Sequence, residues 1–198
     1  FMDNENKENI DDKLEDEYGL DIPDSSTVDS QNEDEDYPTE VRIEKAQFSL
    51  SHLDTLVNKR NQLKLDPDFQ RGGGIWDYKK QRELVESILM GIPIPIIYLF
   101  ETIDGTWQVV DGRQRITALL NYYSNIYALK DLKILKGDKY QNKKFKDLDV
   151  RIQARFEDYQ IQCYIIQPPT SERIKYDIFD RVNRGGVRLN NQEMRNAL

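Results

Sequence analysis

The chain has 198 residues, 38% hydrophobic and 32% charged, with a formal net charge of −8, a composition that supports one core-bearing domain plus a tail. A single cysteine, Cys163, excludes an internal disulfide and any multi-cysteine metal centre. A single histidine, His52, excludes a multi-histidine metal nuclease centre within these residues.

No apolar run approaches the roughly 18 residues that a membrane span requires. The N-terminus shows no basic start followed by an apolar segment, so it does not read as a signal peptide. With a lone thiol, the expectation is a cytoplasmic protein. The charge is unevenly spread. Residues 1–40 hold 16 Asp or Glu against 2 Lys or Arg, a net of −14, while residues 41–198 hold 20 against 26, a net of +6. A leader of that composition cannot bury enough apolar surface to offset its chain entropy, so 1–40 reads as an acidic, disordered leader. The alternative is an acidic mimic of nucleic acid that covers the basic body. The +6 body suits a polyanion such as a nucleotide or nucleic acid.

In chain order, the ordered body begins near Val41. "SHLDTLVNKRNQ" predicts a helix capped at Ser51, with Asp54 three residues on and Leu53, Leu56 and Val57 on one face. After the loop "LDPDFQRGGGIWD", the stripe Leu84, Val85, Ile88 and Leu89 predicts a helix that stops at Gly91 ahead of Pro93. "PIIYLFE" and "TWQVVD" flank the tight turn "IDG" and read as a hairpin. A helix over "RQRITALLNYY" would bury Ile116, Leu119, Leu120 and Tyr123. The Lys-rich segment 130–147 reads as turns, followed by a helix around "LDVRIQARFEDY", a strand "IQCYIIQ" and a helix with Ile174, Ile178, Phe179 and Val182 on one face. That helix breaks at Gly185-Gly186. A last helix opens at Asn190 with Glu193 as its capping box, and the chain ends inside it, so the domain is expected to continue beyond Leu198. Helices with few short strands, one pair a hairpin, predict an α+β domain.

Three constellations carry chemistry. In "VVDGRQR" a strand ends at Asp111, Gly112 lets the chain turn sharply, and Arg113, Gln114 and Arg115 fall on the first turn of a helix. A helix N-terminus already carries about half a positive charge, so two cations placed there point to an anion, and the group reads as a phosphate cradle. Asp111 beside phosphates serves through magnesium or as a proton acceptor, and Gln114 can orient an attacking water. The bland alternative is that the arginines pair with carboxylates and Asp111 caps the helix. The second constellation, "DPDFQRGGGIW", sets Gln70 and Arg71 before three glycines and Trp76 after them; its alternative is a mobile linker. The third, "RVNRGGVRLNNQE", places Asn183, Arg184 and Arg188 around a glycine pair, or is simply a C-cap followed by an N-cap. Cys163, mid-strand among apolar neighbours, reads as core.

These segments, "FQRGGGIWDYKKQRELVESILMGIPIPIIYLFE", "VVDGRQRITALLNYY" and "IFDRVNRGGVRLNNQEMRNAL", resemble the N-terminal domain of GmrSD-type restriction endonucleases, over roughly Val41 to Leu198. That family is similar to the ParB/sulfiredoxin-like fold, which implies a small mixed sheet flanked by helices. The resemblance divides the chain into a leader, 1–40, and a ParB-like nucleotide-binding domain, 41–198. It places the family's Asp-Gly-Gln-Gln-Arg (DGQR-type) motif on Asp111 to Arg115, with Arg113 where Gln is usual, and implies nucleotide binding and hydrolysis, often in phage defence. The ParB-type Gly-Glu-Arg-Arg box falls on Gly112 to Arg115. Sulfiredoxin carries its reactive Cys in this loop, where this chain has none. Family members often continue into a His-Asn-His nuclease.

The resulting expectation leans towards an NTPase, a phosphoanhydride hydrolase that regulates an attached nuclease domain or partner subunit. Asp111 and Gln114 are the expected catalytic residues, with Asp111 as a Mg2+ ligand and the NTP as ligand or substrate. Gly112, Arg113, Arg115, Gln70, Arg71, Asn183 and Arg184 are expected to bind nucleotide. The alternative is a DNA-binding or interaction domain without hydrolysis, using the Lys-rich segment.

Overall fold

The computed structural model describes residues 41–65, 74–168 and 172–183, the side chains of 172, 173 and 183 excepted. The leader, the expected helix from Asn190 and the glycine pair at 185–186 lie outside the described residues. Five strands form one mixed sheet: β1 (Ile43–Ser49), β2 (Leu63–Lys64), β3 (Ile97–Glu101), β4 (Trp107–Asp111) and β5 (Gln160–Ile166), in the order β1-β5-β3-β4-β2. β1 runs antiparallel to β5 and β3 antiparallel to β4, whereas β5–β3 and β4–β2 are parallel. The helices are α1 (Leu50–Asp54), α2 (Tyr78–Leu89), α3 (Arg113–Tyr123), α4 (Val150–Glu157) and α5 (Glu172–Asn183). The α+β expectation holds.

Strand alternation separates two apolar layers. Ile97, Leu99, Val109, Ile161, Cys163 and Ile165 face the main core with Leu53, Val85, Ile116, Leu119 and Phe156 from α1 to α4. Phe100, Val110 and Ile166 face the other way, where Ile178 and Phe179 of α5 cover them.

Two details differ from the sequence expectation. The α1 cap is Ser49, not Ser51: β1 runs straight into the helix, so Ser49 keeps extended angles and its Oγ accepts from the His52 N–H at 3.2 Å. The fully buried tyrosine of α3 is Tyr122, while Tyr123 is half-buried with its hydroxyl donating to Glu157 at 3.2 Å. Tyr122 is buried because the chain after α3 folds back on it: Tyr127, Phe145 of the Lys-rich excursion and Phe156 of α4 enclose its ring.

A buried carboxylate anchors the middle of that excursion, and the Gln153 amide, donating to the Phe145, Lys146 and Leu148 carbonyls, anchors its end. Glu86 of α2 accepts N–H bonds from Lys133 (3.2 Å), Ile134 (2.7 Å) and Leu135 (2.8 Å), and Lys133 Nζ pairs with Glu83 at 2.8 Å. Three donors on one carboxylate satisfy the backbone of a segment that has no regular ladder.

Cys163 is buried as expected, and desolvation pushes its thiol up to about 12; burial likewise raises Tyr122 and Tyr127 well above the usual phenol range. Groups raised in the fold contribute stability that is fully present below their unfolded values and lost as pH climbs towards the folded ones. We therefore expect stability to fall progressively from about pH 9, the ordinary thiol value, to about pH 12, measurable as declining urea midpoints. Native Cys163 should resist iodoacetamide at pH 8 and react once urea unfolds the chain; fast native alkylation would contradict its burial.

Candidate functional site

β4 passes into α3 through one residue, Gly112, at φ 108° and ψ 5°. A side chain is strained there, and a Cβ would stand 2.2 Å from Ile97 Cδ1, whose side chain is fully buried. The close approach that glycine permits is thus to strand β3; Gly112 is itself buried, and no ligand need be invoked to explain it. As N-cap, Gly112 brings no side-chain acceptor to the first turn of α3, and that turn holds no acidic residue. Its carbonyl accepts from the Ile116 N–H at 2.9 Å, which starts the helix.

A bulge sets the direction of Asp111. Leu99 pairs with Val109, but Tyr98 pairs with Asp111, so Val110 is an extra residue in β4. Without it Asp111 would follow Val109 into the helix-covered core; with it Asp111 shares the Tyr98 side of the sheet. There the register lays Lys45, Tyr164, Tyr98 and Asp111 in a row across β1, β5, β3 and β4. The rings of Tyr98 and Tyr164 meet edge-on at 5.7 Å. Burial first, then Tyr164 and the Asp111 carboxylate, raise the Tyr98 hydroxyl, which stays protonated and available as a donor at neutral pH.

Arg115 turns inward. Its Nη2 donates to Asp111 Oδ2 at 2.5 Å and its Nη1 to the Pro95 carbonyl at 2.8 Å, with its side chain 11% exposed against 29% for Asp111. The expected grip on one anion by Arg113 and Arg115 therefore takes a different form. Arg115 is committed to Asp111 and Pro95, and Arg113 sits half-buried on the first turn. Gln114 is also engaged: its Oε1 accepts the Trp76 N–H at 3.0 Å and its Nε2 donates to the Gly74 carbonyl.

The fold thus brings together Asp111, Gly112, Arg113, Gln114 and Arg115. Gln70, Arg71 and Arg184 lie outside the described residues, and Asn183 closes α5 with its side chain undescribed. Sequence reasoning missed Tyr98, Tyr164, Gln81 and the Pro95 carbonyl. Two tyrosines inside otherwise aliphatic strands were the available signal, but their meeting depends on the β3–β5 register.

Among the described residues no three His, Cys, Asp or Glu side chains gather to hold a metal ion. Asp111 offers one carboxylate, with one oxygen already on Arg115. Magnesium takes one or two carboxylates and completes its octahedron with water and phosphate. Among the described residues this one carboxylate would suit only an ion whose other ligands are water or a bound phosphate.

Residues 53–198 match the family model of the GmrSD restriction endonuclease, N-terminal domain. The chain belongs to that family. The GmrSD match includes β2 through α5 and the whole Asp111–Arg115 elbow. Among curated proteins none matches the chain. No helix among the described residues is long and apolar enough to cross a membrane.

The elbow yields a direct test. Gly112→Ala adds left-handed strain of about 1–2 kcal/mol and a core overlap of about 1–3 kcal/mol, so a loss of roughly 2–5 kcal/mol in urea unfolding is expected. Adding Ile97→Val removes the Cδ1 that the new methyl meets and should recover about 1 kcal/mol of that loss. Strict additivity of the two substitutions would place the strain elsewhere.

Proposed function

We propose that this GmrSD domain binds a nucleoside triphosphate as its magnesium complex at the α3 N-terminus and hydrolyses the terminal phosphoanhydride, and that the cycle governs a nuclease module in restriction of foreign DNA. The observation that carries this reading is Asp111 itself: a carboxylate steered by a bulge and held at 2.5 Å by a buried arginine, beside a helix start that glycine leaves without a side-chain acceptor. Such a pole favours phosphate oxygens over the first-turn N–H groups. Arg113 adds positive charge at the first turn, where the family pattern has Gln.

In the reaction, water attacks the terminal phosphorus and the bond to the bridging oxygen breaks, releasing the diphosphate and inorganic phosphate. Asp111 Oδ1 is the acceptor for the proton of the attacking water, while Arg115 keeps Oδ2 occupied and the carboxylate oriented. Arg115 is thus a positioning residue for the base. The Tyr98 hydroxyl, protonated and on the same side of the sheet, is a further donor for a phosphate or ribose oxygen.

A second reading, binding to DNA without hydrolysis, draws on the exposed Lys130, Lys133, Lys136, Lys139 and Lys146 of the ordered excursion. Steeply salt-dependent DNA binding that survives Arg115→Ala would identify it.

Thermal unfolding with each of the four NTPs and magnesium separates the readings. At about 100-fold excess over Kd, the bound nucleotide should stabilise by about 2.7 kcal/mol, or roughly 5–11 °C for a domain of this size. Asp111→Asn retains an acceptor for Arg115, so it should fold and keep the shift while turnover drops by at least ~100-fold. No shift with any NTP overturns the proposal.

A further inference from the structure

The first turn of α3 meets the chain segment that precedes α2, and the contact is made by side-chain amides. Gln114 accepts the N–H of Trp76 and donates to the carbonyl of Gly74. A carbonyl and an N–H two residues apart are what a neighbour in a parallel β-ladder engages. The Gln114 amide therefore takes the place of a parallel strand residue opposite Ile75. From the other side, Gln81 of α2 donates through Nε2 to the Trp76 carbonyl at 2.7 Å, and Asn121, two turns further along α3, donates to Gln81 Oε1 at 3.2 Å. Gln81 is 2% exposed, so burial leaves it few alternatives to these partners. Lys80 Nζ lies 4.3 Å from the centre of the Trp76 ring. The connections close a circuit: α3, segment 74–76, α2 and α3 again.

We infer that Gln114 is a positioning residue. Its amide fixes residues 74–76 in register against the first turn of α3, so that the two act as one binding element, and nucleotide affinity depends on that register more than the chemical step does. This rests on the nucleotide reading above and departs from the expectation that Gln114 orients the attacking water. Both functional ends of the amide are engaged with backbone, which sets its plane and direction independently of any water. Only a primary amide of this length offers donor and acceptor together: a carboxylate in its place would lack the donor, and the asparagine side chain would be one methylene short.

The test uses the full chain with Gln114→Ala, Gln114→Glu and Asn121→Ala, read by amide hydrogen exchange at Trp76 and by steady-state kinetics with the NTP and magnesium. In Gln114→Ala, loss of one backbone bond should speed Trp76 exchange about tenfold, and KM should rise about tenfold with most of kcat retained. Gln114→Glu, which keeps the acceptor for Trp76 but not the donor to Gly74, should fall between. Asn121→Ala should move exchange and KM in the same direction by a smaller factor, a coupling expected of the circuit and not of a water ligand. Unchanged Trp76 exchange in Gln114→Ala overturns the clamp. A fall in kcat of about 100-fold at constant KM overturns the positioning role and returns Gln114 to the water. If wild-type protein binds no NTP, the nucleotide reading fails and takes the affinity claim with it, while the exchange data alone still decide whether the clamp exists.

Discussion

The polar end of this domain depends on Arg115 reaching back from α3 to Asp111. A guanidinium in the first helical turn stands against the helix dipole, and this one is also largely removed from water. Burial of a charge is tolerated only with a partner and full hydrogen bonding. Asp111, four residues earlier and just ahead of the helix, supplies the carboxylate, and the Pro95 carbonyl takes a second N–H. Loss of one member of a buried pair costs about 3–5 kcal/mol in general; Asp111, 29% exposed, belongs towards or below the low end. The pair also fixes what remains for a ligand. Its charges largely offset each other, so the polarity of this pole follows the helix N-terminus.

The Asp111–Arg115 pair requires Gly112. Only a residue that adopts φ 108° without strain can turn β4 into α3 in one step, and only one lacking Cβ can do so over Ile97. The bulge at Val110 completes the geometry by bringing Asp111 to the Tyr98 side. Three local features, a bulge, a glycine and an i,i+4 ion pair, therefore convert a strand end into a directed carboxylate.

Much of this was legible in the sequence. Helical stripes placed α2, α3, α4 and α5, and "IDG" between two apolar runs placed the hairpin, whose turn has Asp104 accepting from Thr106 and Gly105 at φ 79°. β1 was not legible because its apolar residues change faces: Ile43 joins the α5 layer, whereas Ala46 and Phe48 join the main core, so no period-two pattern shows. β2, two residues long, has no pattern to read. At the site, "DGRQR" named the right neighbourhood, since the strand–glycine–helix transition is encoded locally. The duties of its residues were not encoded locally. Arg115 is turned inward by the position of Pro95, and Gln114 is engaged by residues about 40 positions earlier, neither of which spacing along the chain reveals.

The division of labour among these side chains follows from charge. The Tyr98 side of the sheet has an apolar half, Phe100, Val110 and Ile166, which α5 covers, and a polar row in which Lys45, Tyr164, Tyr98 and Asp111 follow one another. The phosphate-bearing ligand proposed above would answer to the local charge at the end of that row. If segment 74–76 were fastened to α3 by an ion pair, the fastening would compete with phosphate and weaken as ionic strength rose. Gln114, Gln81 and Asn121 are neutral, so the anchor adds no charge and is insensitive to salt. On the proposed reading, anchoring and anion recognition can then vary separately: substitutions in the amide circuit would move segment 74–76, and substitutions at Arg115 or Asp111 would change the charge it sits beside.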